Sequence, residues 1–160
     1  MRGVLLTDYP LVRHSSWRVG GCADRCYKPA DLADLQHFLT HLDPQEPLTW
    51  LGLGSNVLIR DGGVAGTVVI TANRLNHIGP VEEEATHPAL FRVRVEAGVT
   101  CARLAKYCVQ QGFERGVFFG GIPGTVGGAL AMNAGAFGGE TWEQVVAVEL
   151  MQKDGTFHRV

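Results

Sequence analysis

Two glycine-rich segments carry residue types and spacings suited to binding a phosphorylated cofactor. The first is Gly52-Leu-Gly-Ser-Asn-Val57, which follows directly on an apolar run. Its alternating glycines let the backbone turn tightly with successive N–H groups pointing outward, and such a nest binds phosphate oxygens. Ser55 adds a hydroxyl donor and Asn56 an amide donor. The segment therefore predicts a pyrophosphate cradle without any lysine.

Two familiar phosphate-binding patterns do not describe this segment. The Gly-Lys-Ser/Thr ending of a Walker loop is absent. Val57 stands where the Rossmann pattern G-x-G-x-x-G needs its last glycine, and no long helix is predicted to follow. Taken alone, the segment is more typical of an ordinary tight turn.

The second segment, Gly120–Glu140, contains eight glycines but also large apolar side chains such as Ile122, which flexible linkers lack. Gly127 and Gly128 predict a short helical turn that packs close to something flat. Asn133–Gly135 offers small side chains and exposed backbone donors. A planar isoalloxazine ring with polar atoms along one edge needs a surface of this kind.

The elements predicted around the first segment are a helix and three short strands. Leucines recur at three and four residues over Asp31–Leu42, which predicts a helix. Buried strands are predicted over Leu48–Leu53, Val57–Ile59 and Thr67–Thr71, with a turn at Asp61-Gly62-Gly63 between the last two.

The second half of the chain predicts a similar mixture. Gly79–Pro88 is polar and acidic and predicts a solvated loop, and the alternation over Phe91–Ala97 predicts a half-buried strand. A helix follows, capped by Thr100 and ended by Gly112, with Cys101, Leu104, Ala105, Cys108 and Val109 on its apolar face. Two last strands are predicted, Val145–Met151 and Thr156–Val160, with a turn at Asp154-Gly155.

Composition restricts the class of protein. The 160 residues are 46% apolar and 19% charged with a net charge of −2, which suits a globular protein and favours neither nucleic acid nor a membrane as partner. No secretory signal or apolar span of membrane length is visible. The spacing of Cys22, Cys26, Cys101 and Cys108 matches no common zinc pattern, so we expect reduced thiols, no metal and a cytoplasmic location.

The two glycine-rich segments, together with Trp17-Arg-Val-Gly-Gly21, resemble the signatures of the UDP-N-acetylenolpyruvoylglucosamine reductases in order and spacing. The resemblance covers nearly the whole chain, and the two long motifs together are highly specific. Two departures stand out: Ser15-Ser16 replaces the usual Asn-Thr, and Phe137 replaces a tyrosine and so lacks its hydroxyl.

The resemblance implies an α+β, two-lobed FAD-binding fold of the vanillyl-alcohol-oxidase (PCMH) type, incomplete at its C-terminus. Residues 1–75 would form the first subdomain and 76–160 part of the second, with a substrate domain lying beyond this chain. The resemblance assigns the pyrophosphate to Gly52, Leu53, Gly54, Ser55, Asn56 and Val57. It assigns the flavin and its ribityl chain to Ile122, Pro123, Gly124, Thr125, Gly127, Gly128, Asn133, Ala134, Gly135 and Ala136.

The activity implied by the resemblance is the NADPH-dependent, FAD-dependent reduction of an enolpyruvyl UDP-sugar to UDP-N-acetylmuramate for peptidoglycan, carried out by a monomer. The family's catalytic arginine, serine and glutamate are expected beyond Val160, so no catalytic residue is assigned here. We expect the 160-residue chain alone to be inactive and to bind FAD weakly at best.

Two other functions remain open at this point. One is another flavin oxidoreductase of the same fold; many such enzymes attach flavin covalently through His or Cys near the first motif, and neither residue occurs between Leu48 and Ala72. The other is a nucleotide-binding module without catalysis, which the colour of the purified protein would test.

Overall fold

The computed structural model describes residues 1–80 and 92–160. The acidic run Glu82–Glu84 and Phe91, which belong to a predicted loop and a predicted strand, lie outside the described residues. The strands are Val4–Pro10 (β1), Cys22–Lys28 (β2), Leu48–Leu51 (β3), Val64–Ile70 (β4), Ile78–Pro80 (β5), Val93–Val95 (β6), Gly135–Ala136 (β7), Gly139–Glu140 (β8), Glu149–Met151 (β9) and Phe157–Arg159 (β10). The α-helices are Leu32–Thr40 (α1), Cys101–Gln111 (α2) and Val126–Met132 (α3), and 3-10 turns cover Val12–His14, Glu114–Gly121 and Thr141–Gln144.

The first lobe is a four-stranded mixed sheet in the order β1-β2-β4-β3. β1 pairs antiparallel with β2, whereas β4 lies parallel to both β2 and β3. Side chains of β4 alternate between the two faces: Val68 and Ile70 join a cluster with Leu11 and Ile59, and Val69 joins the cluster under α1. The central strand is therefore buried on both faces and anchors the lobe.

A buried carboxylate fixes α1 and the chain start. Asp34 accepts hydrogen bonds from the Tyr27 hydroxyl and from the backbone N–H groups of Arg2, Gly3 and Ala30. Burial alone would raise the pKa of Asp34, but these four donors hold it well below its usual range.

The second lobe is built around α2 and α3, whose apolar faces enclose a core with Val99, Phe119 and Ile122. The predicted caps of α2 are confirmed: the Thr100 hydroxyl accepts from the Arg103 N–H, and Gly112 is left-handed at the C-cap. Cys101 and Cys108 are buried as predicted, whereas Val109, predicted on the same face, is 60% exposed.

The β9–β10 hairpin contacts both lobes. Glu149 forms an ion pair with Arg94 of β6. At the other end, the Lys153 ammonium donates to the Pro44 and Glu46 carbonyls at 2.6 and 2.5 Å. The hairpin therefore ties the second half of the chain to the loop that precedes β3.

Several predicted elements need correction. Val57–Ile59 is not a strand, because the Ser15 hydroxyl, rather than a neighbouring strand, donates to the Val57 carbonyl. Strand β5 includes Gly79 and Pro80, which were predicted as loop. The last two strands are shorter than predicted, and the prediction omitted β1 and β2 altogether. The subdomain boundary after residue 75 stays a prediction.

Candidate functional site

The glycine loop Gly52–Val57 follows the edge strand β3 and lies against two other parts of the chain. Gly54 has φ +72°, and a Cβ there would lie 1.8 Å from the carbonyl oxygen of His14. A Cβ at Gly52 would lie 2.5 Å from Thr125 Oγ1. Glycine is therefore required here because the protein's own backbone and side chains press on the loop.

The hydrogen bonds of the loop leave its donors available. The Gly54 carbonyl accepts from the Ser16 N–H at 3.0 Å, and the Val57 carbonyl accepts from the Ser15 hydroxyl at 3.2 Å. Within residues 1–80 and 92–160, the backbone N–H groups of residues 53–56 donate to no protein acceptor. The chain thus uses carbonyls of the loop and leaves consecutive N–H groups for an anionic ligand or water.

The second glycine-rich segment meets this loop directly. A Cβ at Gly124 would lie 3.2 Å from Ser55 Oγ, and Gly52 faces Thr125 as described above. Thr125 is also the N-cap of α3, its hydroxyl accepting from the Gly128 N–H at 3.4 Å. The structure therefore brings together two predicted groups of site residues that are about seventy positions apart in the sequence.

The segment that carries Thr125 is fixed by the chain preceding α2. The Cys101 N–H donates to the Gly124 carbonyl at 3.0 Å, and the Gly127 N–H donates to the Ala97 carbonyl at 2.9 Å. A Cβ at Gly127 would lie 2.9 Å from that of Ala97. At Gly128, in contrast, a Cβ would meet only Thr125 Oγ1, at an ordinary 3.6 Å.

The predicted site residues Asn133–Ala136 follow directly on α3. Asn133 ends α3 in the left-handed region with φ 44°. Its side-chain amide donates to Glu140 at 2.8 Å and its amide oxygen accepts from the Trp142 N–H at 3.1 Å. Ala136 packs on Gly121, where an added Cβ would come within 2.7 Å of the alanine Cβ. The Asn133 side chain is thus engaged within the chain, while Ala136 adjoins the segment that begins at Ile122.

A half-open pocket in the first lobe does not coincide with this face. It has a volume of about 340 Å³ and a mostly apolar lining that includes Leu11, Trp50, Leu58 and Val64. It shares only Val57 with the predicted site residues. The candidate site is therefore the surface where the glycine-rich segments meet.

The residues at this surface fit FAD. Four consecutive backbone donors suit a pyrophosphate, which needs N–H groups and no lysine. Gly128 has no close neighbour that excludes a side chain, so its small size leaves room for a flat ring.

In the described part of the chain, no helix is long and apolar enough to cross a membrane.

Sequence reasoning missed the backbone that supports the loop. His14 and Ser16 contact Gly54, yet only Trp17–Gly21 of that region was recognised, as an opening motif. The nearest sequence signal is Ser15-Ser16, which departs from the usual Asn-Thr of the opening motif.

The fold and this surface define a two-lobed FAD-binding domain of the vanillyl-alcohol-oxidase (PCMH) type. The chain belongs to the family described as "FAD binding domain", whose model matches residues 23–160.

The chain is similar to proteins named UDP-N-acetylenolpyruvoylglucosamine reductase. The relative from Coxiella burnetii (strain Dugway 5J108-111) is 60% identical over 97% of this chain and 53% of its own length. The relative from Methylococcus capsulatus is 57% identical over 96% of this chain and 48% of its own length. The crystal structure of UDP-N-acetylenolpyruvylglucosamine reductase (MurB) from Thermus caldophilus matches with a TM-score of 0.69 and 27% identity, covering 100% of this chain and 52% of that one. The chain therefore spans about half the length of these relatives.

Proposed function

We propose that this chain binds FAD where the glycine loop meets Gly124–Gly128, and that the natural polypeptide containing it reduces UDP-N-acetylenolpyruvoylglucosamine to UDP-N-acetylmuramate. The observation that carries the proposal is the contact between Gly52–Ser55 and Gly124–Thr125. This contact brings to one surface the two glycine-rich motifs that, by resemblance, would bind a single FAD.

The protein's residues would act by binding and orientation. The N–H groups of residues 53–56 would hold the pyrophosphate, with Ser55 as an added donor. The second segment would offer Gly128 and the backbone near Ala136 to the ring and its ribityl chain. When bound, the flavin would supply transfer of hydride from NADPH to the enolpyruvyl double bond.

The cellular setting belongs to the same proposal. The product is a precursor of peptidoglycan, so the protein would serve cell-wall synthesis, and with it cell shape and division, in the cytoplasm as a monomer. Its partners would be small molecules, FAD, NADPH and the UDP-sugar, without nucleic acid. The catalytic arginine, serine and glutamate would lie outside these 160 residues.

The test is a pair of measurements on the natural full-length polypeptide. We expect a yellow protein that releases FAD on denaturation and consumes NADPH in step with UDP-N-acetylmuramate formation. Flavin that stays covalently attached, with oxidation of an alcohol, would favour another oxidoreductase of this fold. Flavin binding without turnover would favour a non-catalytic module, and a colourless protein that takes up no FAD contradicts the proposal.

A further inference from the structure

A hydrogen-bonded chain of three side chains lies behind the glycine loop. Lys28 Nζ, on β2, lies 2.6 Å from the Tyr9 hydroxyl on β1. The same hydroxyl lies 2.9 Å from His14 Nε2. All three residues are half-buried, and the Tyr9 and His14 rings are 5.4 Å apart.

The direction of these hydrogen bonds follows from chemistry. A lysine ammonium can only donate, so the Tyr9 oxygen accepts from Lys28. We assign the single hydroxyl proton of Tyr9 to His14 Nε2, because this spares the phenol oxygen from accepting from a second donor beside the Lys28 ammonium. In this assignment His14 is neutral, with its proton on Nδ1.

His14 is also joined to the glycine loop. Its carbonyl oxygen packs on Gly54, and two residues later the Ser16 N–H donates to the Gly54 carbonyl at 3.0 Å. The ring of His14 thus sits in the Lys28–Tyr9 chain while its backbone supports the loop. A change at the ring has a short covalent route to the backbone that shapes the loop.

We propose that His14 is a positioning residue for the glycine loop, and that FAD binds less tightly when His14 takes up a proton. The proposal rests on FAD binding at this loop, as proposed above. A protonated imidazole has no acceptor to offer Tyr9, and it places a second cation beside Lys28. Both effects push the His14 ring out of the arrangement that supports Gly54.

The charges around the ring agree with this reading. Burial, and after it the ammonium of Lys28, lowers the pKa of His14. The loop on its other side has no ionisable side chain from Gly52 to Ile59, and Arg13 on its own segment is exposed. Because the pKa of His14 is lower in the folded state, the neutral ring contributes its full stability to the fold above about pH 6.5, the ordinary pKa of histidine. That contribution is lost as the pH falls below this value.

The experiment measures FAD affinity against pH in the natural full-length polypeptide. We expect wild-type affinity to fall about fivefold between about pH 8 and about pH 5. Tyr9→Phe removes both hydrogen bonds, so affinity at about pH 8 should fall about fivefold and the pH dependence should flatten. Lys28→Met should move the midpoint of the pH dependence upward, since a neighbouring cation is lost. His37→Gln, on the exposed side of α1, is the matched histidine control and should behave as wild type.

A second readout separates positioning from a merely structural role. NMR of the His14 ring nitrogens should show the Nδ1–H tautomer in wild type and a return to the commoner Nε2–H form in Tyr9→Phe. An Nε2–H ring in wild type, or identical pH profiles for wild type, Tyr9→Phe and Lys28→Met, overturns the inference while leaving FAD binding intact. Absence of FAD binding at every pH overturns the proposed function instead, and the tautomer then still tests the hydrogen-bonded chain. If Tyr9→Phe does not fold by circular dichroism, the midpoint shift in Lys28→Met decides.

Discussion

The two glycine-rich segments that meet at the candidate site use glycine for different reasons. In the loop after β3, Gly54 is left-handed and a Cβ would overlap the His14 backbone. Its glycine is required by the protein itself. In α3, Gly128 is helical and a Cβ would make only an ordinary contact. Helix formation would favour almost any other residue there, so the protein's own packing does not explain this glycine.

This difference separates the requirements of folding from those of binding. A residue that the fold requires reports on the site only indirectly, because its replacement disturbs the backbone first. A residue that the fold does not require, such as Gly128, reports on what lies against the open side of the helix. Substitutions in the two segments should therefore differ in their ratio of lost stability to lost FAD affinity.

Gly54→Val should have the largest effect. Valine at a left-handed position with a backbone oxygen in its path should lower the free energy of unfolding by about 2–4 kcal/mol. FAD affinity should fall more than about tenfold, or ~1.4 kcal/mol, in fluorescence titration. Gly62→Val is the matched control, because nothing lies within 4 Å of a Cβ at Gly62. A folded Gly54→Val protein with unchanged affinity would remove the loop from the site.

Gly128→Leu should reverse that ratio. The thermal unfolding temperature and the helical circular dichroism of the protein should stay near wild type, so that α1 is still formed. In α3 itself, leucine favours the helix over glycine by about 0.5–1 kcal/mol. FAD affinity should nevertheless fall more than about tenfold. Gly127→Leu, one residue earlier, should destabilise the protein because Ala97 blocks the side chain. Normal flavin binding by Gly128→Leu would mean that this glycine faces no cofactor.

The parts of the fold that sequence predicted correctly rest on short-range signals. Helix α2 lies between Thr100 and Gly112 because a hydroxyl caps one end and a left-handed glycine the other, and both signals are local. Strands β1 and β2 carry charged and polar residues such as Asp8 and Arg25 that hide a strand pattern. These two strands form because they pair with each other and with β4, and a local sequence pattern carries no information on such pairing.

The site was predictable as a set of motifs but not as a geometry. Gly52–Val57 and the Gly120–Glu140 segment were recognised from composition and resemblance, while their contact through Thr125 depends on how the lobes pack. Val57–Ile59 was mistaken for a strand because its apolar residues follow a turn; in the fold, Ile59 is buried without a strand partner. Long-range contacts of this kind leave no trace in a single sequence.

Asn133→Ala should lower stability less than Gly54→Val does. It places alanine at φ 44° and removes hydrogen bonds to Glu140 and to the Trp142 N–H, which together should cost about 1–2 kcal/mol of unfolding free energy. Asn133→Gly keeps the backbone conformation and loses only the hydrogen bonds, so it should recover part of that loss. Chemical denaturation of both variants measures the two contributions. Equal stability of alanine and glycine variants would show that the left-handed backbone is not what asparagine provides here.

Phe137→Tyr should have the smallest effect on stability and on FAD affinity, although tyrosine is usual at this position in the family that the chain resembles. Phe137 lies at the tip of the β7–β8 hairpin with φ 53° and is 89% exposed. The hydroxyl of an exposed tyrosine is bonded to water in both the folded and the unfolded protein, so the free energy of unfolding should change by less than about 0.5 kcal/mol. FAD affinity should change by less than about threefold, because a hydroxyl on this exposed side chain stays bonded to water and adds no hydrogen bond to the cofactor. The measurement is a side-by-side titration with Phe137→Leu, which tests whether the ring matters at all. A tenfold gain for tyrosine would show that its hydroxyl reaches the cofactor, and would extend the binding surface from α3 to the hairpin tip.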